Sequence, residues 1–391
     1  MGMEYQNSRD KVVDMRKIIV FEKLLMSLIL LLAFAGTLVY AATPAKTDSS
    51  PATVIDKNLK ANIRKSIDRG LTWLQAQQEK NGSYANHVGI TGLVATAYMR
   101  SPRHYGEKDS KFIESAIKYI LSMVKPDGGI YDKDMPNYNT SISIMALVET
   151  KNPAYNNIIK NAQKYIMGLQ FDESDGYTTD DKMYGGIGYG NPLGSGSDLR
   201  PDLSNLKYSL EALKASGVPK DSEVWKKAIK FIERCQNRSE SNDQSWSGND
   251  GGFIYSPSES KAGKTKSYGS MTYAGILSFI YANVDKKDQR VQDAVKWINA
   301  NYTLDENPGM DQEGLYYYYH TMAKALDAYG DPVITDSKGV QHNWYADLAN
   351  KLMKLQKPDG SWANEADRWM EAMPILTTSY AVLALSASYP D

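Results

Sequence analysis

The run from Tyr316 to His320 is the stretch of this 391-residue sequence best equipped for chemistry. Four tyrosines precede a histidine, and Tyr316, His320, Lys324 and Asp327 recur at i, i+4, i+8 and i+11. On a helix such residues share one face. A histidine facing a wet cavity, near its ordinary pKa, can act as acid or base. The plainer alternative is a structural histidine held at a rim, and His87 is open to the same two readings. Carboxylates are the second resource. Asp202, Asp311 and Glu371 each stand just before a helix-like run. A facing pair of acids would suit glycoside cleavage, which needs two carboxyl groups at a set separation. Each also reads as charge complementing a helix N-terminus. Asp202, His320 and Glu371 are therefore the candidate catalytic residues, with no reaction assigned to them.

Two long inserts bring further candidates. The first, Tyr177 to Pro201, carries Tyr184, Tyr189 and glycines at 185, 186, 188, 190, 194 and 196, and leads into Asp202, Ser204 and Asn205. Its G-x-G strings follow no strand, so they are not a dinucleotide fingerprint. The second, Asn237 to Lys266, leads into Ser267, Tyr268, Ser270 and Tyr273. Long loops in a compact domain are either functional or disordered. The candidate ligand contacts are Tyr189, Asp202, Asn205, Tyr268, Ser270, Tyr273, Asp311, Tyr316, Tyr317, His320, Trp369 and Glu371.

These residues sit on a sixfold repeat. Each unit has an amphipathic helix, a turn with a glycine and an aromatic residue, and a second helix rich in small residues. The marker glycines are Gly82, Gly128, Gly176, Gly251, Gly314 and Gly360, spaced by 46, 48, 75, 63 and 46 residues. Two helices and their loops fit in about 45 residues. In the last unit Leu348, Leu352 and Leu355 form one apolar face, whereas Ala381, Leu383, Ala384 and Leu385 lie all round the following helix. A helix apolar on most sides is buried. The spacing therefore predicts second helices inside and first helices outside. Six such pairs bury their faces best as a closed ring, since no polar end caps are apparent. The expected fold is all-α, an (α/α)6 toroid of six helical hairpins spanning 59–391.

Gln356 followed by Asp359-Gly360-Ser361-Trp362 resembles the QW repeat of squalene–hopene cyclases. The β-subunits of protein prenyltransferases share that toroid. The resemblance runs from about Leu59 to Ser386 and implies an apolar lumen. The catalytic signatures of these families are absent or broken. Class II cyclases protonate an alkene with a D-x-D-D acid, and the nearest string here is Thr178-Thr179-Asp180-Asp181. Prenyltransferases hold zinc with D-x-C, and here Glu233-Arg234-Cys235 stands instead. Cys235-Gln236 lacks the flanks of the α-macroglobulin thioester.

Composition narrows the rest. Cys235 is the single cysteine, which excludes an intrachain disulfide and a multi-thiol zinc site, and it reads as a small core residue. No metal or other cofactor is called for. Net charge is −1, leaving no large field for nucleic acid. There are 27 tyrosines against 7 phenylalanines, which suits half-wet cavities and outer surfaces alike. Arg16, Lys17 and Lys23 precede an apolar run, Leu24 to Val39, and Val39-Tyr40-Ala41 offers a signal-peptidase site. Residues 1–41 thus read as a signal peptide or an uncleaved anchor helix, with true translation starting at Met1 or Met15, and 42–58 as a flexible linker. The expected protein is exported, periplasmic or extracellular. Its central cavity would bind, or in a diverged form transform, an apolar or amphipathic isoprenoid or lipid. Two other readings stand beside this one. One is an enzyme acting on a glycan, a lyase or hydrolase; the other is a ring that presents loops to a protein partner.

Overall fold

The structure, a computed structural model, describes residues 55–190 and 200–390. The signal or anchor segment, most of the linker, and Gly194 and Gly196 of the first insert lie outside the described residues. No helix among the described residues is long and apolar enough to cross a membrane.

Helices alternate between two kinds. One kind is amphipathic: α1 (Lys57–Ala76), α3 (Lys111–Ser122), α5 (Asn156–Met167), α7 (Glu223–Arg234), α9 (Gln289–Ala300) and α11 (Trp344–Leu355). In α1 the buried side chains Ile63, Ile67, Leu71 and Leu74 make one stripe while most of the rest meets solvent. The other kind is buried nearly all round: α2 (Val88–Arg100), α4 (Pro136–Glu149), α6 (Leu203–Ala215), α8 (Gly269–Tyr281), α10 (Leu315–Tyr329) and α12 (Pro374–Ala387). These pack in a cycle: α2 on α4, α4 on α6, α6 on α8, α8 on α10, α10 on α12, and α12 back on α2. The amphipathic helices pack around them, each against its neighbouring inner helices.

The turns weld neighbouring units. Gln356 Nε2 donates to the carbonyl of Gly360 at 2.9 Å and to that of Ser66 at 2.9 Å, so the last turn is tied to the first helix. Gln78, Gln170 and Gln236 repeat this clamp on the carbonyls of Gly82, Gly185 and Gly251 and on the next outer helix. Gly360 has φ +99°, and a Cβ there would lie 2.7 Å from the Arg69 carbonyl, so the close approach requires glycine. Trp362 fills the same seam, fully buried, with Nε1 donating to the Leu352 carbonyl at 2.8 Å.

Two expectations are corrected. The third marker is Gly185, not Gly176. A Cβ on Gly176 would meet nothing within 4 Å, while one on Gly185 would sit 1.8 Å from the Lys227 carbonyl. Gly314, in turn, caps α10 and faces Trp369 rather than an outer helix. The fold is also not purely helical. Between α10 and α11, β1 (Val333–Thr335) and β2 (Gln341–Asn343) form an antiparallel hairpin, with Ile334 opposite His342. Asp336 accepts from the N–H groups of Lys338 and Val340, and Gly339 turns the chain at φ +80°. Cys235 is buried and caps the C-terminus of α7, where burial pushes its thiol up.

Candidate functional site

A cavity of about 200 Å³ opens where the inner helices begin. Its wall holds seven tyrosines, namely Tyr138, Tyr189, Tyr208, Tyr255, Tyr268, Tyr317 and Tyr380. Met135, Met271, Met370, Trp369, Ile90 and Leu376 complete the apolar part, and His87, Ser204, Asn205, Ser270 and Glu371 are the polar contacts. Each inner helix delivers its first residues there because its side chains from the first two turns point to the ring axis. In α6 Ser204 and Tyr208 stand at i and i+4, and in α12 Leu376 and Tyr380 do the same.

Ring stacking fixes the floor. Tyr138 meets Tyr208 edge-on at 5.1 Å, Tyr208 lies 6.4 Å from Tyr317, and Tyr317 lies 6.1 Å from Tyr380. The hydroxyls of Tyr138 and Tyr208 each come within 3.5 Å of that of Tyr380, and Tyr317 shares a 2.9 Å hydrogen bond with Ser204 Oγ. Burial raises the Tyr138 hydroxyl to about 12, so the floor is neutral. The rim is strained. Trp369 and Met370 carry φ of +58° and +67° and are the exposed large apolar side chains among the described residues. The Arg368 guanidinium lies 4.5 Å from the Trp369 ring and pairs with Glu313.

The carboxylates act as caps. Asp202 is buried, and its Oδ1 accepts the Asn205 N–H at 2.9 Å while Oδ2 accepts from Asn205 Nδ2 at 2.7 Å. Burial raises its pKa to about 6, against the hydrogen bonds from Asn205 and Tyr255 that lower it. Glu371 is buried too and receives the first N–H groups of α10. Burial raises its pKa, with those donors and Asn364 opposing. Asn205 lines the cavity, and its buried Oδ1 has no hydrogen-bond partner among the described residues.

Of the twelve contacts expected from sequence, Tyr189, Asn205, Tyr268, Ser270, Tyr317, Trp369 and Glu371 come together on this wall. Asp202 lies behind it as the α6 cap. Tyr273 is buried against Tyr318 at 5.6 Å. Asp311 is exposed on the loop before α10. Tyr316 turns aside to Tyr319. His320 sits beneath the floor, stacked on Tyr380 at 5.2 Å. Burial and the nearby Lys324 and Lys207 keep its imidazole well below the ordinary range. The lumen face of α10 is therefore Tyr317, His320, Thr321 and Lys324: His320 and Lys324 stand on it as the sequence reads, and Tyr317 and Thr321 take the places of Tyr316 and Asp327. Asp327 is exposed and accepts from Ser388. Sequence reading missed Tyr138, Tyr208, Tyr255 and Tyr380. Among the described residues no cluster of three His, Cys, Asp or Glu side chains could hold a metal ion.

No family model matches this chain, and no curated protein matches it in sequence. Solved structures do. A variant of the type II terpene cyclase MstE from Scytonema, in its apo form, is 13% identical with a TM-score of 0.54, covering 86% of this chain and 99% of that one. A possible member of the GH105 family from Salmonella enterica is 12% identical with a TM-score of 0.54, covering 90% and 99%. A glycosidase variant in complex with glucose is 12% identical with a TM-score of 0.51, covering 86% and 100%. Likeness at this level of identity shows the fold alone: an α/α toroid, with no preference for squalene–hopene cyclases among its bearers.

Proposed function

We propose that this protein is a binding toroid, the twelve α-helices of its described residues forming six hairpins, that takes an apolar ligand with a polar end into its tyrosine-lined cavity. The observation that carries this is the wall itself. It is aromatic and thioether-rich, with the unpartnered Asn205 Oδ1 as the acceptor for a ligand donor. A void of about 150 Å³ lined by apolar side chains accommodates benzene. By that measure the cavity of about 200 Å³ accepts one ring or a short prenyl unit, the remainder lying at the open rim. The MstE cyclase, which shares the fold, has been solved with geranylgeranyl dihydroxybenzoate, an apolar prenylated substrate, which supports the class of ligand. The glycan reading is the weaker one. It needs two carboxyl groups facing one bond. Among the described residues only Glu371 reaches the wall, and both its oxygens already serve helix α10.

The export reading of residues 15–41 places this cavity outside the cytoplasm, and the mass of the mature chain tests it. The ligand reading is tested by titrating geraniol into the purified protein and following heat and tryptophan emission. Saturable binding that Trp369→Ala weakens supports it. Absence of saturable binding by geraniol and by a simple phenol rejects it.

A further inference from the structure

Beneath the tyrosine floor lies a buried amine. Lys207 belongs to the lumen stripe of α6, with Ser204, Tyr208 and Glu211 at the matching helical positions. Its side chain is fully buried, and Nζ has no hydrogen-bond partner among the described residues. Nζ lies 3.2 Å from the centre of the Tyr208 ring and 5.4 Å from that of Tyr317. Both rings line the cavity while Lys207 itself does not, so the amine packs directly behind the Tyr208 ring of the floor. A buried polar group without a partner costs stability and calls for an explanation.

We propose that Lys207 forms an imine with ligands of this cavity that end in an aldehyde. The inference rests on the cavity being a ligand site and adds the chemistry of that ligand's polar end. Burial is the largest influence on Lys207 and lowers its pKa well below the ordinary lysine value, with Lys324 adding to it and Glu211 opposing. A neutral amine in a hydrophobic setting is a nucleophile for carbonyl carbon. Its lone pair adds to that carbon, and the carbonyl electrons pass to oxygen, which takes a proton. That proton and a second one both come from the amine nitrogen, so water departs and a C=N bond is left. No oxidant or reductant enters, and water reverses the step. His320, in the same buried region, has Nδ1 without a hydrogen-bond partner among the described residues, and burial lowers its pKa, with Lys207 one of the charges that add to this. The aromatic body of the cavity holds the rest of the ligand, and the rings exclude the bulk water that would hydrolyse the imine.

The test uses the full chain, geranial as the aldehyde, geraniol as its carbonyl-free analogue, and cyanoborohydride to fix any imine. At neutral pH an ordinary lysine is an unprotonated amine only about once in a few thousand molecules. Peptide mapping should therefore find an adduct on Lys207 exceeding that on any exposed lysine by on the order of a hundredfold. Excess geraniol should suppress it, and Lys207→Met should abolish it while retaining geraniol binding. Mapping the unaltered chain decides the matter if that variant fails to fold. Geraniol binding with adducts spread over surface lysines overturns the imine and leaves the cavity reading standing. No geraniol binding and no Lys207 adduct overturns both.

Discussion

Glu371 Oε1 accepts the backbone N–H of Tyr317 at 2.7 Å, and Oε2 accepts that of Tyr316 at 3.1 Å. One carboxylate thus anchors the rim loop to the N-terminus of α10 and positions the tyrosine that tiles the cavity floor. Asn364 Nδ2 completes its shell at 2.8 Å. Glu371→Ala leaves two N–H groups without their acceptor and should cost about 2–3 kcal/mol. Glu371→Gln keeps one oxygen and should cost about 1 kcal/mol. Urea denaturation measures both, and equal midpoints for the two variants would contradict the capping role.

Asp202 gives a pH signature of opposite sign to most carboxylates. Its folded pKa of about 6 exceeds the unfolded value, so the folded state favours the protonated form. The stability this supplies is whole below about pH 4 and declines as pH rises to about 6. Asp202→Asn retains a capping oxygen and cannot titrate. The stability of that variant relative to the native chain should rise by up to about 3 kcal/mol between pH 4 and 7 and then level. A flat difference across that range refutes the buried, raised carboxyl.

Two glycines nine positions apart separate conformation from packing. Gly176 has φ +82° with open space where a Cβ would go, so Gly176→Ala should cost only the strain of the left-handed region, about 1–2 kcal/mol. Gly185 has φ +80°, and its Cβ would collide with the Lys227 carbonyl of the next unit. Gly185→Ala should cost about 4 kcal/mol or more, and the seam between units should open. Thermal unfolding of the two variants compares them directly. Similar losses would return the marker role to Gly176.

The alternation of amphipathic and apolar helices was legible because it is periodic, and periodicity survives in a single sequence. Gly185 was legible too, by a signal passed over. Gly128-Gly129, Gly185-Gly186 and Gly251-Gly252 are all glycine pairs, and Gln170 precedes Gly185 by the same 15 positions that separate Gln236 from Gly251. The aspartate-glycine pair at Asp175-Gly176 attracted the assignment because turn chemistry is local, whereas the contact that demands glycine is with another helix. The cavity was half legible. Residues preceding inner helices, such as Trp369 and Tyr268, follow from topology. Tyr208 and Tyr380 do not, because a helix buried on every side hides which stripe meets the axis. In α6 the ionisable residues Lys207 and Glu211 marked that stripe, since no other face of a buried helix would tolerate them. The hairpin at Val333 to Asn343 was obscured by its brevity.

That charged stripe supplies the last prediction. Glu211 Oε1 accepts from Lys324 across the lumen, and Arg100 Nη1 stands 3.9 Å away. Burial alone would raise the Glu211 carboxyl, yet Lys324, Lys207 and Arg100 together hold it below its ordinary value. It is the buried carboxylate paired with Lys324 and Arg100, with the Lys207 amine close by. Glu211→Gln leaves them facing one another, and breaking a buried pair from one side costs roughly 3–5 kcal/mol. Removing the partner as well should recover much of that loss, because an apolar side chain suits the same space. Glu211→Gln, Lys324→Met and the double variant therefore form a cycle with a coupling of about 2 kcal/mol or more. Denaturant midpoints at neutral pH read it. Additive losses would mean that water, rather than Glu211, screens the lysines, and the lower lumen would then be wet rather than sealed.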